Sequence, residues 1–200
     1  FNSGAIGWTI TEENFMKNLR DKHIIDMLKF RASYGEIGDD NLGDPFDSSR
    51  RWLYMNQWAY GGNTVMDLDH TKSIYTWYRQ NTLGNKDVKW ETVKKTNFGV
   101  DYGFLGGLIT GSLDFFCDRR NDILIFGDNR SIPSYFGTTA PTINKGKVRT
   151  SGYELELKLN KKFANGIRLW GNFNMTHAKN KVLLKDDAQL TPNYQKEAGY

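Results

Sequence analysis

The sequence predicts an all-β fold: antiparallel strands from the wall of a transmembrane β-barrel, with short turns at one end and long loops at the other. Three observations carry this reading. Apolar and polar residues alternate with period two in several separate segments. The longer segments run to roughly 11–15 residues, against about 5–6 for a strand in a soluble protein. The connections also alternate in length, as they do where periplasmic turns and extracellular loops succeed one another.

Taken in order, the opening AIGWTI places Ile6, Trp8 and Ile10 on one side of a strand at 4–10. The connection at 11–23 contains EENFMKNLRDKH, which suits a brief helix. A strand at 24–37 sets Leu28, Phe30, Ala32 and Tyr34 against Lys29, Arg31 and Ser33. A long connection at 38–90 follows. At 91–104, Phe98, Val100, Tyr102 and Phe104 oppose Asn97, Asp101 and Gly103. The turn 105–107 leads to a strand at 108–118, where Ile109, Leu113 and Phe115 oppose Thr110, Ser112 and Asp114. A second long connection covers 119–147. At 148–162, Tyr153, Leu155, Leu157 and Leu159 oppose Glu154, Glu156, Lys158 and Asn160. KKFANG then supplies a tight turn at Asn165-Gly166. The sixth strand, 167–179, sets Ile167, Leu169, Phe173 and Met175 against Arg168, Asn172, Asn174 and Thr176, with a further long connection from 180.

Composition agrees. Aromatics make up 14% of the 200 residues, yet apolar residues reach only 38% and mean hydropathy is −0.63. No apolar run approaches the roughly 18 residues of a transmembrane helix. Alternating strands, by contrast, average to a hydrophilic composition while still presenting one apolar face. The net charge of +4 is small and its basic residues are interspersed along the chain, which argues against nucleic-acid binding. One cysteine, Cys117, allows no internal disulfide framework and no CxxC site, and its parity places it on the apolar face.

Alternation by itself does not name the solvent. A one-residue slip in the fifth strand puts Glu154, Glu156 and Lys158 into the apolar layer, which penalises a soluble sandwich and a barrel alike. For a basic residue at a bilayer midplane that cost is roughly 2–4 kcal/mol. Strand length favours lipid. So do the aromatics near strand ends (Trp8, Tyr34, Phe104, Phe163), which suit an interfacial girdle, and the charged and amide-bearing opposite face, which suits a wet lumen.

Four segments carry a family resemblance: AIGWTITEENF with LKFRASYGEIG; LGNKDVKWETVKKTNFGVDYGFLGGLITGSLDFF; SIPSYFGTTAPTINKGKVRTSGYELELK; and WGNFNMTHAKNKV. In that order they cover well over half of the chain, and together they resemble the SusC/RagA family of TonB-linked outer-membrane proteins. The resemblance implies a barrel of about 22 strands around an N-terminal plug, of which residues 1–200 supply about six strands. Plug and TonB box are expected outside this segment, since both of its ends read as cut. It further implies a SusD-like lipoprotein as lid, TonB as the energy-coupling partner through the absent N-terminal region, and outer-membrane lipid around the wall. The cargo it implies is oligosaccharide, with peptide in some members. Two other readings stay open: a soluble or surface-anchored glycan-binding β-module, and a receptor or adhesin barrel that imports nothing.

Two groups of candidate site residues follow. Lys29, Arg31, Asp101, Asp114, Glu154, Glu156, Arg168 and Asn172 fall on the polar face and would line the lumen, hydrogen-bonding the plug and keeping a hydrated path. Trp52, Tyr54, Trp58, Tyr60, Trp77 and Tyr78 lie in the long aromatic connection that also holds Phe46 and Tyr75. Their rings suit stacking on a sugar's C–H face, though self-packing or contact with the lid explains them as well. SIPSYFGTTAPT, punctuated by Pro133, Gly137 and Pro141, is a stiff excursion that shapes the outer mouth, seats the lid or simply packs within the barrel. Asp39, Asp40, Asp44, Asp47, Asp67, Asp69 and His70 lack the order of a calcium loop and read as solvated. His23, His70 and His177 form no metal spacing. No GxSxG or phosphate loop is present, and GVDYGFLGG reads as strand and turn. Neither catalysis nor a cofactor is expected.

Overall fold

The computed structural model describes residues 1–40, 51–65, 74–188 and 190–199. Six strands form one antiparallel sheet: β1 (Ser3–Thr9), β2 (Ile25–Asp39), β5 (Glu91–Phe104), β6 (Ile109–Ile125), β7 (Ile143–Lys162) and β8 (Arg168–Leu184). Their order is β1-β2-β5-β6-β7-β8, so the main sheet is an open meander. The aromatic connection contributes a second, two-stranded sheet, β3 (Gln57–Val65) paired with β4 (Ile74–Thr82). Phe46, Asp44, Asp47, Asp67, Asp69 and His70 lie outside the described residues.

Alternation and register agree across the main sheet. Trp8, Phe30, Val100, Leu113, Leu155 and Met175 stand in one continuous cross-strand row. The neighbouring row holds Ile6, Ala32, Phe98, Phe115, Tyr153 and His177. Rings meet within this layer, with Phe30–Phe98 centroids 6.2 Å apart and Phe115–Tyr153 6.5 Å apart. The layer is nevertheless solvent-facing in the chain by itself: Leu169 is 63% exposed and Phe173 53%. Among the described residues nothing packs over this face, the arrangement expected of a wall that meets lipid.

At the short end, the first connection folds as 3-10 turns at Ile10–Glu12 and Asn14–Met16 and a helix, α1 (Lys17–Asp21), in place of an open loop. Thr11 is only 1% exposed, and its hydroxyl accepts from the Leu28 amide at 3.4 Å. The β5–β6 turn puts Leu105, Gly106 and Gly107 all at positive φ. Asp26 stabilises it by accepting from the Gly107 amide at 3.0 Å. The β7–β8 turn closes at Gly166 (φ 86°), with Asn165 Oδ1 accepting from the Ile167 amide.

The sequence-based boundaries need correction at the long end. The connection expected at 119–147 shrinks, because β6 continues to Ile125 and β7 begins at Ile143. A bulge between Arg120 and Ile123, with Asp122 at φ 58°, shifts parity by a residue and hides this continuation. β8 likewise runs past 179 to Leu184. The connection at 38–90, expected as a long loop, also holds the β3–β4 hairpin. β3 and β4 have both faces wet, so their sequences show no steady period of two.

Candidate functional site

All eight polar wall residues lie on one face of the main sheet. In one row Arg31 pairs with Gly99, Gly99 with Asp114, Asp114 with Glu154 and Glu154 with Thr176. The next row runs Lys29, Asp101, Ser112, Glu156 and Asn174. Asn172 sits opposite Lys158, one row further toward the turns, and Arg168 opposite Lys162 beyond that.

Three of the eight are joined directly. Arg31 donates from Nε and Nη2 to the two carboxylate oxygens of Asp101, both at 2.9 Å. Its Nη2 also donates to Asp114 Oδ2 at 3.1 Å, reaching across the whole width of β5. Gly99 makes that reach feasible: a Cβ there would lie 2.4 Å from Asp114 Oδ1 and 2.8 Å from Arg31 Nη2. Asn97 Nδ2 donates to the remaining Asp114 oxygen at 3.2 Å, while its own Oδ1 is buried without a partner. Glu156 pairs with Lys158 at 2.8 Å, and Lys95 with Asp118 at 3.7 Å. Arg168 instead donates to Asn160 Oδ1 at 2.9 Å, away from the cluster. Sequence reasoning placed Asn97 on the polar face but gave it no role, and it missed Gly99. A glycine in mid-strand was the available signal for Gly99.

A groove of about 1060 Å³ opens on this face, lined among others by Ser33, Asn97, Asp114, Phe116, Asp118 and Glu154. Of its charged side chains, Asp114 is held by Arg31, Asp118 by Lys95 and Glu36 by Lys94, and its polar groups present carboxylate and amide oxygens. That suits hydrogen-bonding to another protein segment or to water better than it suits bond-making chemistry.

The six candidate aromatic contacts divide. Tyr60 and Tyr78 are direct cross-strand partners with rings edge-on at 6.1 Å, and Trp58 opposite Gln80 shares their face of the hairpin. Trp77 is on the other face, its ring lying where a side chain at Gly61 would stand. Trp52 and Tyr54 precede the hairpin and meet edge-on at 6.1 Å. All six are exposed, Trp58 the most at 65%. This geometry leaves Trp58, Tyr60 and Tyr78 as one ring-lined surface and separates Trp77 from it.

Only the end of SIPSYFGTTAPT packs into a hub of loop contacts, while Tyr135 and Phe136 stay exposed. Ala140 and Thr142 are buried. Asn85 Nδ2 donates to the Thr142 carbonyl at 2.9 Å, and Arg130 Nη1 to the Pro141 carbonyl at 3.0 Å. Asp186 draws in both Lys145 (2.6 Å) and Arg130 (3.2 Å). The Lys145 ammonium, with help from Arg130, holds this carboxyl below its ordinary range although burial works against it. Among the described residues no group of three or more His, Cys, Asp or Glu side chains is arranged to hold a metal.

Comparison with known proteins places this geometry. The family model described as "TonB dependent receptor-like, beta-barrel" matches residues 4–197. The TonB-dependent receptor SusC of Bacteroides thetaiotaomicron is 32% identical over 160 residues, covering 78% of this chain and 14% of that protein. TonB-dependent receptor P39 of Formosa agariphila is 32% identical over 202 residues, covering 100% of this chain and 17% of that protein. Among solved structures, the RagAB peptide importer in its open-open state superposes with a TM-score of 0.71 at 18% identity, covering 96% of this chain and 19% of that one. The chain thus spans less than a fifth of the length of each of these relatives.

Proposed function

Since this chain belongs to the TonB dependent receptor-like β-barrel family, in its SusC/RagA branch, we propose that it forms about a quarter of the wall of an outer-membrane nutrient importer. Residues 1–200 are, in this reading, barrel throughout, with plug and TonB box elsewhere in the protein. The cargo is oligosaccharide, captured with a SusD-like surface lipoprotein and moved with energy from TonB. The observation that carries the reading is the two-faced sheet: an apolar layer continuous over six strands, backed by a face of charged and amide side chains, the Arg31–Asp101–Asp114 cluster among them, whose polar groups line a groove. A soluble module has no use for so large an uncovered apolar face.

On the polar face, Arg31, Asp101 and Asp114 form a fixed clamp across three strands. Lys29, Glu154, Glu156, Asn172 and Arg168 supply donors and acceptors to the plug and to water around it. Trp58, Tyr60 and Tyr78 offer the stacking surface for a pyranose ring. Trp52, Tyr54 and Trp77 contact cargo or lid from neighbouring positions. Peptide is the second cargo reading, favoured by the likeness to the RagAB peptide importer.

The test uses the full-length protein. It should fractionate with outer membranes and need detergent, and uptake should cease when TonB is deleted. Solubility without detergent overturns the barrel, and uptake without TonB overturns import by this route. Growth of a deletion strain on a panel of glycans and peptides then decides the cargo.

A further inference from the structure

One row on the apolar side of the sheet breaks its pattern. Glu36 pairs across the strands with Lys94, Lys94 with Arg119, Arg119 with Arg149 and Arg149 with Lys181. Lys179 lies two residues from Lys181 on the same face. Four cations thus stand directly opposite one another on adjacent strands, an arrangement that is destabilising unless something anionic answers it. Glu36 answers only Lys94, at 3.2 Å. Among the described residues no carboxylate pairs with Arg119, Arg149, Lys179 or Lys181. On the polar face at the same height, Lys95 meets Asp118 and Arg120 stands without a like charge opposite it.

The row's position says what can neutralise it. On β8 the apolar face runs from Ile167 to His177, about 33 Å of strand, or about 25 Å of height at a barrel tilt of about 40°. Lys179 and Lys181 come next. Hydroxyl and small side chains (Tyr34, Thr96, Cys117, Ser151) form the row immediately below the charged one. The sequence of layers toward the long-loop end is therefore aliphatic, aromatic, hydroxyl and cation, which is the profile of a bilayer from its core to its headgroups. With strands about 4.8 Å apart, the four cations span roughly 15 Å.

We infer that Lys94, Arg119, Arg149 and Lys181, with Lys179, form a binding surface for the phosphate groups of anionic lipid at the outer rim of the membrane. Arg119 and Arg149 present forked donors suited to phosphate, and the lysines add point charge. Bound lipid phosphates remove the cross-strand repulsion and fix the height of the wall in the bilayer. The inference rests on the barrel reading above, because it needs this face to meet lipid.

The experiment uses the full-length receptor in detergent, with purified lipopolysaccharide as probe and inorganic phosphate as competitor. The variant R119Q/R149Q/K181Q removes the three unpaired cations of the row. R120Q makes the same kind of change one residue away on the opposite face. The wild type and R120Q should bind the probe alike. The triple variant should bind on the order of a hundredfold more weakly while remaining folded by heat-modifiable gel mobility. Lipid phosphate co-purifying with the protein should fall in parallel. Equal binding by the triple variant overturns the inference, as does full displacement by millimolar inorganic phosphate, which would mark a free-anion site. A loss of self-association with unchanged lipid binding also overturns it, in favour of a second copy on this face. Absence of the full-length protein from outer membranes instead sinks the barrel reading itself, so the two failures are distinguishable.

Discussion

Gly99 lets one guanidinium serve three strands. Arg31 starts on β2, chelates Asp101 on β5 and ends on Asp114 of β6, with Gly99 directly beneath its path. Gly99→Ala puts a methyl group into contact with the Arg31 head and Asp114, and neither can withdraw without breaking a charge-assisted bond. The expected loss is about 1–3 kcal/mol, read as a lower unfolding temperature of the full-length barrel by heat-modifiable gel mobility. Asp186 gives a second prediction at this scale, outside the strands. Its carboxyl is held below the ordinary range chiefly by Lys145. A depressed folded pKa means the contribution is complete above the unfolded value, about 4, and is lost as pH falls through the lower folded value. The clamp on the 126–142 loop should therefore be insensitive to pH near neutrality and loosen only below about pH 4. Amide exchange of Arg130 and its neighbours across that window measures it. Asp186→Asn should show the loosened pattern already at pH 7.

At the scale of strands, position decides what a substitution costs. Leu155 lies in the middle row of the apolar layer, between Leu113 and Met175. Leu155→Arg should destabilise the inserted barrel by about 2–4 kcal/mol. Asn174→Arg, on the opposite face and across from Glu156, should change stability by less than about 0.5 kcal/mol. Equal effects of the two would show that the faces are not distinguished by solvent. The same asymmetry explains how much could be read from sequence. Lys29, Arg31, Asp101, Asp114, Glu154 and Glu156 were assignable to one face because lipid and water on opposite sides enforce a strict period of two. Where water lies on both sides that constraint disappears, and with it the signal. Hence β3 and β4 went unread, as did the outer ends of β6, β7 and β8. The aromatic set was legible as a composition, but its division into Trp58, Tyr60 and Tyr78 against Trp77 depends on the bulge between Tyr60 and Gly62. The basic row was illegible for another reason. Its members are at least 25 positions apart along the chain, and only the strand register aligns them.

For the whole molecule, the sheet order leaves β1 and β8 with one neighbour each. Every other strand of the main sheet has a hydrogen-bonded neighbour on each side. β8 exposes an edge along a strand from Arg168 to Leu184, met at Val182 by the Gly199 amide, and its apolar face carries Leu169, Phe173 and Met175 uncovered by any other described residue. An edge this long and this apolar invites pairing with whatever strand is at hand. In a closed barrel the neighbouring wall strands take that place, and lipid covers the face. Amide exchange should therefore find β8 as protected as β6 in the full-length protein held in detergent. Residues 1–200 expressed alone should lose protection along β1 and β8 first, and should sediment as aggregates rather than as monomer. A monodisperse, detergent-free fragment with β8 amides protected would mean that the sheet closes on itself. In that case the apolar layer is an internal core, and the wall of a larger barrel is the wrong description of it.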